Sequence, residues 1–328
     1  MDNARSFHTR ARTSPHLRFV HPALLVDWFV VFGLSTLAHY IERQPVYQRD
    51  PAHYLPPVQA VPDPAISWPH QSVERVSAYE GELLDQLTWY LPLAVFFVVG
   101  GLLRRSLHDV HHAALGLYAS REGMRLIVEF IKNRVGRLRP DFLSRCAWDV
   151  VAHACTGPAG LVKDGRRSFP SGHSSTAWQG LFFLSLYLAG KNGAFASFRP
   201  ALPPSFGLSP SSRTSRVPAI ARSLFSSHIF RLGIALGPVA IAIWVPITRL
   251  EDHYHHVEDI LAGSFIGALS ALLGYCMYYP APWKARSGAV EESEPRTVYR
   301  EAEEAYGMAN GGVRLVEEEE EVGGGAQV

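Results

Sequence analysis

Cysteine is scarce, with three residues in 328. That excludes a disulfide framework, and no pair has the spacing of a zinc site. Cys146 and Cys155 share one short stretch. They either form a single bridge, in a loop facing an oxidising compartment, or stay free thiols. Net charge is lacking as well. A formal balance of +1 argues against a protein that holds nucleic acid by bulk positive charge. The first 18 residues are rich in arginine and contain no apolar run before a small-residue cleavage site, so no export signal is expected there.

Long apolar runs, by contrast, are abundant. A helix crossing a bilayer needs roughly 20 mostly apolar residues. Segments 88–103, 229–248 and 258–279 meet that need, and 22–41 and 174–190 come next. A sixth segment, 110–132, contains Arg121, Glu122 and Arg125. It spans if those groups face other helices; otherwise it is an amphipathic surface helix. The loop charges favour six spans. Arg5, Arg10, Arg12 and Arg18 precede the first run, Arg104 and Arg105 form the second loop, and 191–228 holds five cations and no acid. Lys and Arg collect on the cytoplasmic side. Both termini and 191–228 are therefore expected to be cytoplasmic, with 42–85, 133–173 and 249–257 outside or in a lumen. The basic character of 133–173 runs against the rule. The expected organisation is all-α and polytopic: a basic segment 1–20, a six-span domain 21–280 and an acidic tail 281–328. The tail, with five glutamates at 317–321, and the Ser/Pro/Arg-rich 191–228 read as disordered.

Chemistry-bearing residues gather in three clusters on the expected outer surface. The first is KNRVGRLRP, 132–140. Lys132 and Arg139 are two helical turns apart, and Pro140 ends the helix near Arg139. By itself the cluster also reads as a snorkelling basic flank. The second is SFPSGHSSTAW, 168–178. Ser171 is placed to cap the following helix, whose free N–H groups favour an anion. Gly172 lets a phosphate approach the backbone, and His173 sits in the first turn. The third is TRLEDHYHHVED, 248–259. His255 and Asp259 are four apart, so one helical turn pairs an imidazole with an orienting carboxylate. His253, His255 and His256 lack a further zinc ligand at a known spacing, and His253 and His256 read as interfacial bystanders. Together the clusters hold cations for phosphate oxygens, a nucleophile with its orienting acid and a second proton donor.

With these residues the chain resembles the type 2 phosphatidic acid phosphatases, the lipid phosphate phosphatases. Their active-site pattern is shared with vanadium haloperoxidases and bacterial acid phosphatases. Its parts are Lys-x6-Arg-Pro, Pro-Ser-Gly-His and Ser-Arg-x5-His-x3-Asp. They match Lys132 with Arg139-Pro140, then Pro170 to His173, then Arg249, His255 and Asp259, with Thr248 where the pattern has serine. The likeness covers roughly residues 100–280, and RPDFLSRC after the first motif looks like the fungal diacylglycerol pyrophosphate phosphatases. The resemblance implies a helical membrane core of the phosphatase/haloperoxidase type with six spans. It implies that His255 attacks phosphorus, Asp259 orients it and His173 protonates the leaving alcohol. Lys132, Arg139, Ser171, Gly172 and Arg249 would hold the phosphate. It implies no metal or other cofactor, and a lipid phosphate in the bilayer as substrate: phosphatidate, lysophosphatidate or diacylglycerol pyrophosphate.

Other readings stay open at this point. Sphingoid-base or polyprenyl phosphates, or lipid phosphotransfer, fit the same motifs. A membrane protein that only binds lipid phosphates is a different class, and the complete His173, His255 and Asp259 set speaks against it. The strong spans speak against a soluble haloperoxidase. A transporter lacks its expected pair of broken, repeated spans.

Overall fold

The computed structural model describes residues 22–51, 63, 65–70, 82–149, 151–152, 154–195, 227–283 and 295. The basic N-terminal segment, most of 191–228 and nearly all of the acidic tail lie outside the described residues.

Six long helical rods carry the fold. The first is α1 (Pro22–Arg43). The second, over 82–103, joins α2 (Glu82–Asp85) and α3 (Leu91–Phe96) through wider π-type turns at Gln86–Tyr90 and Phe97–Leu103. Then come α4 (Leu107–Val135), a loop layer, α7 (Gly172–Asn192), α8 (His228–Glu251) and α9 (Val257–Tyr278). Each expected span coincides with one rod. Local signals set their ends. Ser106, Ser171 and Ser227 each accept a backbone N–H at the start of α4, α7 and α8. Gly136 and Gly193 close α4 and α7 with left-handed φ values of 58° and 65°.

Four rods are long and apolar enough to cross a membrane: Leu24–Arg43, Leu83–Leu103, His228–Glu251 and Val257–Tyr278. Leu25, Phe29, Phe32, Leu261 and Phe265 point outward from them and are exposed. The more polar α4 and α7 face protein instead. On α4, Arg121 pairs with Asp85 at 2.8 Å and Arg125 with Glu42 at 2.9 Å. On α7, Gln179 donates to Ser120 Oγ at 2.7 Å and Ser185 to the Ala235 carbonyl at 2.6 Å. Polar groups at membrane depth are expected to be satisfied in this way.

The central helix is α7, packed against α4, α8 and α9. Its approach to α9 is close because α9 presents Gly263 and Gly267. A Cβ at either would collide with the carbonyl oxygen of Ser171 or Ser175. At the ends of α4, α7 and α9 remote from the phosphate clusters lies a buried polar knot. Asp109 accepts from Lys191 at 2.6 Å, Tyr187 at 2.8 Å and the Tyr279 hydroxyl at 2.8 Å.

A loop layer covers the other end. It contains α5 (Phe142–Cys146), the two-stranded ladder β1 (Trp148–Asp149) with β2 (Ala154–Cys155), and α6 (Ala159–Gly165). Trp148 faces Cys155 in antiparallel register, and a disulfide joins Cys146 to Cys155. The bridge is thus formed. Ile66 packs in the layer's own core with Leu138, Phe142 and Cys146.

Candidate active site

The first cluster meets by a chain reversal, not along a helix face. Gly136 stops α4 three residues before Arg139, so the expected two-turn alignment of Lys132 and Arg139 does not occur. The chain turns back instead, and the Arg139 N–H donates to the Gly165 carbonyl at 2.8 Å. The buried Arg139 guanidinium then donates to Asp164 through its backbone oxygen and through Oδ1, both at 3.0 Å. Lys132 comes in from the last turn of α4, with its ammonium 3.4 Å from Glu129.

Ser171 caps α7 as its sequence position implies. Its Oγ accepts from Ser174 N–H at 3.3 Å, and its own N–H donates to the Asp259 carbonyl at 2.9 Å. The first amides of α7, those of Gly172 and His173, follow directly. A Cβ on Gly172 would stand 2.9 Å from the Lys132 ammonium. A side chain at this position would push the Lys132 ammonium away from that helix end.

The third cluster carries the largest correction. His255 lies before α9, and His256 is the N-cap residue, so no helical turn links His255 to Asp259. The two still approach, with His255 Nδ1 3.7 Å from Asp259 Oδ2. That is longer than a hydrogen bond. Asp259 bonds elsewhere. Its Oδ2 accepts from Ser168 Oγ at 2.6 Å and the His256 N–H at 3.0 Å, and its Oδ1 from Arg137 at 2.8 Å. The His256 ring is 3.2 Å from the same carboxylate, and its Nε2 is 3.0 Å from the Ala65 carbonyl. His253, at φ 55°, stacks on Trp68 with ring centres 3.8 Å apart. Neither histidine is a loose bystander. Both are tied to segment 65–70, His256 to Ala65 and His253 to Trp68.

His255 Nε2 is 3.4 Å from an Arg139 nitrogen, beside a cavity of about 360 Å³. Lys132, Arg139, Gly172, His173 and His255 line that cavity. Ser171, Arg249 and Asp259 stand behind its wall. Arg249 is fully buried and donates to Asp252 at 3.1 Å. Leu84, Met124 and Val128 make one apolar side. Asp164, Arg167 and Glu129, absent from the sequence clusters, also line it, and Arg167 is ion-paired to Glu129. Asp164 lies 25 positions from Arg139, in the short helix α6 and outside any motif, so no local pattern announces it.

Burial drives the His255 imidazole down to about 4, and the Arg139 guanidinium adds to the shift. It is therefore neutral near pH 7. Burial alone would raise the Asp164 carboxyl, but the Arg139 and Arg145 guanidiniums outweigh it and hold Asp164 below its ordinary value. Among the described residues, no three His, Cys, Asp or Glu side chains are grouped as a metal-ligand set.

The sequence pattern of the PAP2 superfamily matches residues 113–283, which contain all three clusters. The chain belongs to the PAP2 superfamily. "Lipid phosphate phosphatase 2" of Arabidopsis thaliana is 35% identical over 201 residues, 59% of either chain. "Probable diacylglycerol pyrophosphate phosphatase 1" of Schizosaccharomyces pombe is 31% identical over 228 residues, 66% of this chain and 70% of that one. "Diacylglycerol pyrophosphate phosphatase 1" of Saccharomyces cerevisiae is 28% identical over 253 residues, covering 70% and 74%. The match thus spans less than two thirds of the plant relative's length. No solved structure matches at a significant level. Within the PAP2 region α4, α7 and α9 each bring one end to the cavity, so one helical unit assembles clusters more than a hundred residues apart.

Proposed function

We propose that this PAP2 protein hydrolyses lipid phosphates at the cavity, through a phosphohistidine on His255. Phosphatidate, lysophosphatidate and diacylglycerol pyrophosphate are the substrates in view. One observation carries the reading. A buried, neutral imidazole lines one cavity with Lys132, Arg139 and Gly172 at the start of α7, its Nε2 3.4 Å from an Arg139 nitrogen. Its Nδ1 lies toward Asp259. In the proposed reaction the Nε2 lone pair attacks phosphorus, and the bond to the alcohol oxygen breaks. His173 gives its proton to that oxygen and later takes one from the water that releases phosphate. Asp259 steadies the imidazolium that forms, and the short closure needed from 3.7 Å is of a kind that apo sites often leave to substrate binding. Lys132 and Arg139 hold the equatorial oxygens. Leu84, Met124 and Val128 offer the lipid's apolar part a wall on the same cavity.

The proposed orientation puts this face outside or in a lumen, with six crossings and both termini cytoplasmic. The Cys146–Cys155 bridge supports it, because disulfides persist in oxidising compartments. The deciding test is phosphate release from phosphatidate in detergent micelles with EDTA present. Release that is lost to EDTA and restored by a divalent cation would replace the histidine mechanism with a metal-dependent one.

Three further outcomes are expected. kcat/KM should fall on the acid side with an apparent pKa near 4, not 6.5, because the free enzyme's nucleophile protonates only there. The same group affects folding. Between about 6.5 and 4 the unfolded chain binds the proton and the native state does not, so stability should drop as pH falls through that window. A pH–rate profile with thermal melts across pH 3.5–8 checks both. Gly172→Ala should lower kcat/KM by about 10²-fold, because its methyl displaces the Lys132 ammonium from the phosphate position. Unaltered kinetics in a folded variant would show that Lys132 need not occupy that position.

A further inference from the structure

The cavity beside His255 does not end at the three clusters. A second cavity of about 510 Å³ adjoins it and shares Glu42, Arg125, Asp164 and Arg167 with it. His39 and Arg43 of α1 and Gly160 and Lys163 of α6 complete its wall. Four cationic side chains there stand against two carboxylates, and no aliphatic side chain is present. Both carboxylates are already engaged. Glu42 pairs with Arg125 at 2.9 Å, and Asp164 with Arg139 at 3.0 Å and Arg145 at 2.7 Å. Lys163 donates to the Glu42 backbone carbonyl at 3.1 Å, an uncharged partner. Arg125 and Arg167 are also paired, to Glu42 and to Glu129, while Lys163 bonds a neutral carbonyl; the lobe offers an acyl chain no apolar contact and offers an anion four cationic side chains.

Its position narrows the choice of anion. Arg125 and Lys132 lie seven apart on one face of α4, about 10 Å along the axis. Both side chains line the cavity beside His255. A monophosphate held by Lys132, Arg139 and the α7 amides has no use for a second cationic lobe. A phosphate linked directly to another does.

We propose that the Arg125, Lys163 and Arg167 lobe is a second phosphate subsite. It holds the inner phosphate of a lipid diphosphate while the terminal phosphate lies against His255. The inference rests on the lipid-phosphatase reading above and adds the group that selects diphosphate over monophosphate. The bond from His255 Nε2 to the terminal phosphorus forms. The bond from that phosphorus to the bridging oxygen breaks, and its electron pair stays on the inner phosphate. The leaving group is then an anionic phosphomonoester, and the lobe's cations meet its new charge where it develops.

The test uses the full chain in micelles and the variant Lys163→Gln. kcat/KM is measured on diacylglycerol pyrophosphate and on phosphatidate. Calorimetry measures binding of imidodiphosphate, which is not hydrolysed at its bridge, and of inorganic phosphate. The variant should lose about tenfold more on the diphosphate lipid than on the monophosphate lipid. It should lose imidodiphosphate affinity by a similar factor, keep phosphate affinity, and be rescued by Lys163→Arg. Equal losses on both lipids, or none, would overturn the subsite. So would parallel loss of both free anions, which would make the lobe a site for released phosphate. If neither lipid is turned over by the wild type, the hydrolase reading fails, and the binding arm still decides the subsite.

Discussion

Replacing His255 by alanine is expected to lower phosphate release from phosphatidate by about 10⁴-fold or more. The size follows from the place of the residue. Its Nε2 is the neutral base at the cavity wall nearest the cation cluster, 3.4 Å from Arg139. In the proposed mechanism, removing it leaves Lys132, Arg139 and the α7 amides to bind phosphate with nothing to attack it. KM should therefore change far less than kcat. Acid-quenched enzyme offers a second readout. Wild type given radiolabelled lipid should retain label on the protein that is acid-labile and base-stable, and His255→Ala should retain none. Label persisting in the variant would move the nucleophile elsewhere, with His173 the first alternative on the wall.

The second large effect is expected from Asp259→Asn, and it combines stability with rate. The carboxylate is fully buried and receives Ser168, the His256 N–H and Arg137. An amide has one oxygen and two hydrogens of its own, so it cannot satisfy the same donors. Breaking a buried pair costs about 3–5 kcal/mol, and the low end applies because Arg137 keeps some contact with water. Turnover should fall as well, by about 10³-fold, because in the proposed mechanism Asp259 closes on His255 Nδ1 from 3.7 Å and steadies the imidazolium. Asp259 does not line the cavity, so substrate affinity should survive. Melting curves and kcat together check this. A variant with a lowered melting temperature and undiminished kcat would make Asp259 a structural cap and leave His255 without its acid.

Much of this arrangement was legible in the chain. Ser171 before Gly172 marks a helix start, and the cap forms there. Five apolar runs and the more polar 110–132 mark the six rods. For 110–132 the sequence left a spanning helix and an amphipathic surface helix open; Arg121 and Arg125 find carboxylates on neighbouring rods, as a protein-facing helix requires. Local spacing misled where the backbone changes direction. Lys132 with Arg139, and His255 with Asp259, do come together, but a left-handed Gly136 and an N-cap at His256 replace the helical turns that spacing implied. Arg249 matches the motif and yet turns from the cavity to Asp252. Asp164, Arg167 and Lys163 were invisible. Their roles depend on where α6 lands against α1 and α4, and no periodicity encodes that. The disulfide stayed open for the same reason. Only the β1–β2 ladder brings the two Cα atoms to 4.9 Å.

The Asp109 knot has a mechanical corollary. It ties the far ends of α4, α7 and α9, through Lys191 and the hydroxyls of Tyr187 and Tyr279, at the opposite pole from the phosphate. Twenty-three residues of α4 separate Asp109 from Lys132, a lever of about 35 Å. A tilt of about 5° around that fulcrum carries the Lys132 end through about 3 Å, as far as a phosphate group is wide. At the cavity pole α7 and α9 are joined by the Ser171 N–H and the Asp259 carbonyl, so such a tilt moves the α4 tip against that pair. The distant knot thereby sets how wide the cleft between Lys132 and the start of α7 stands.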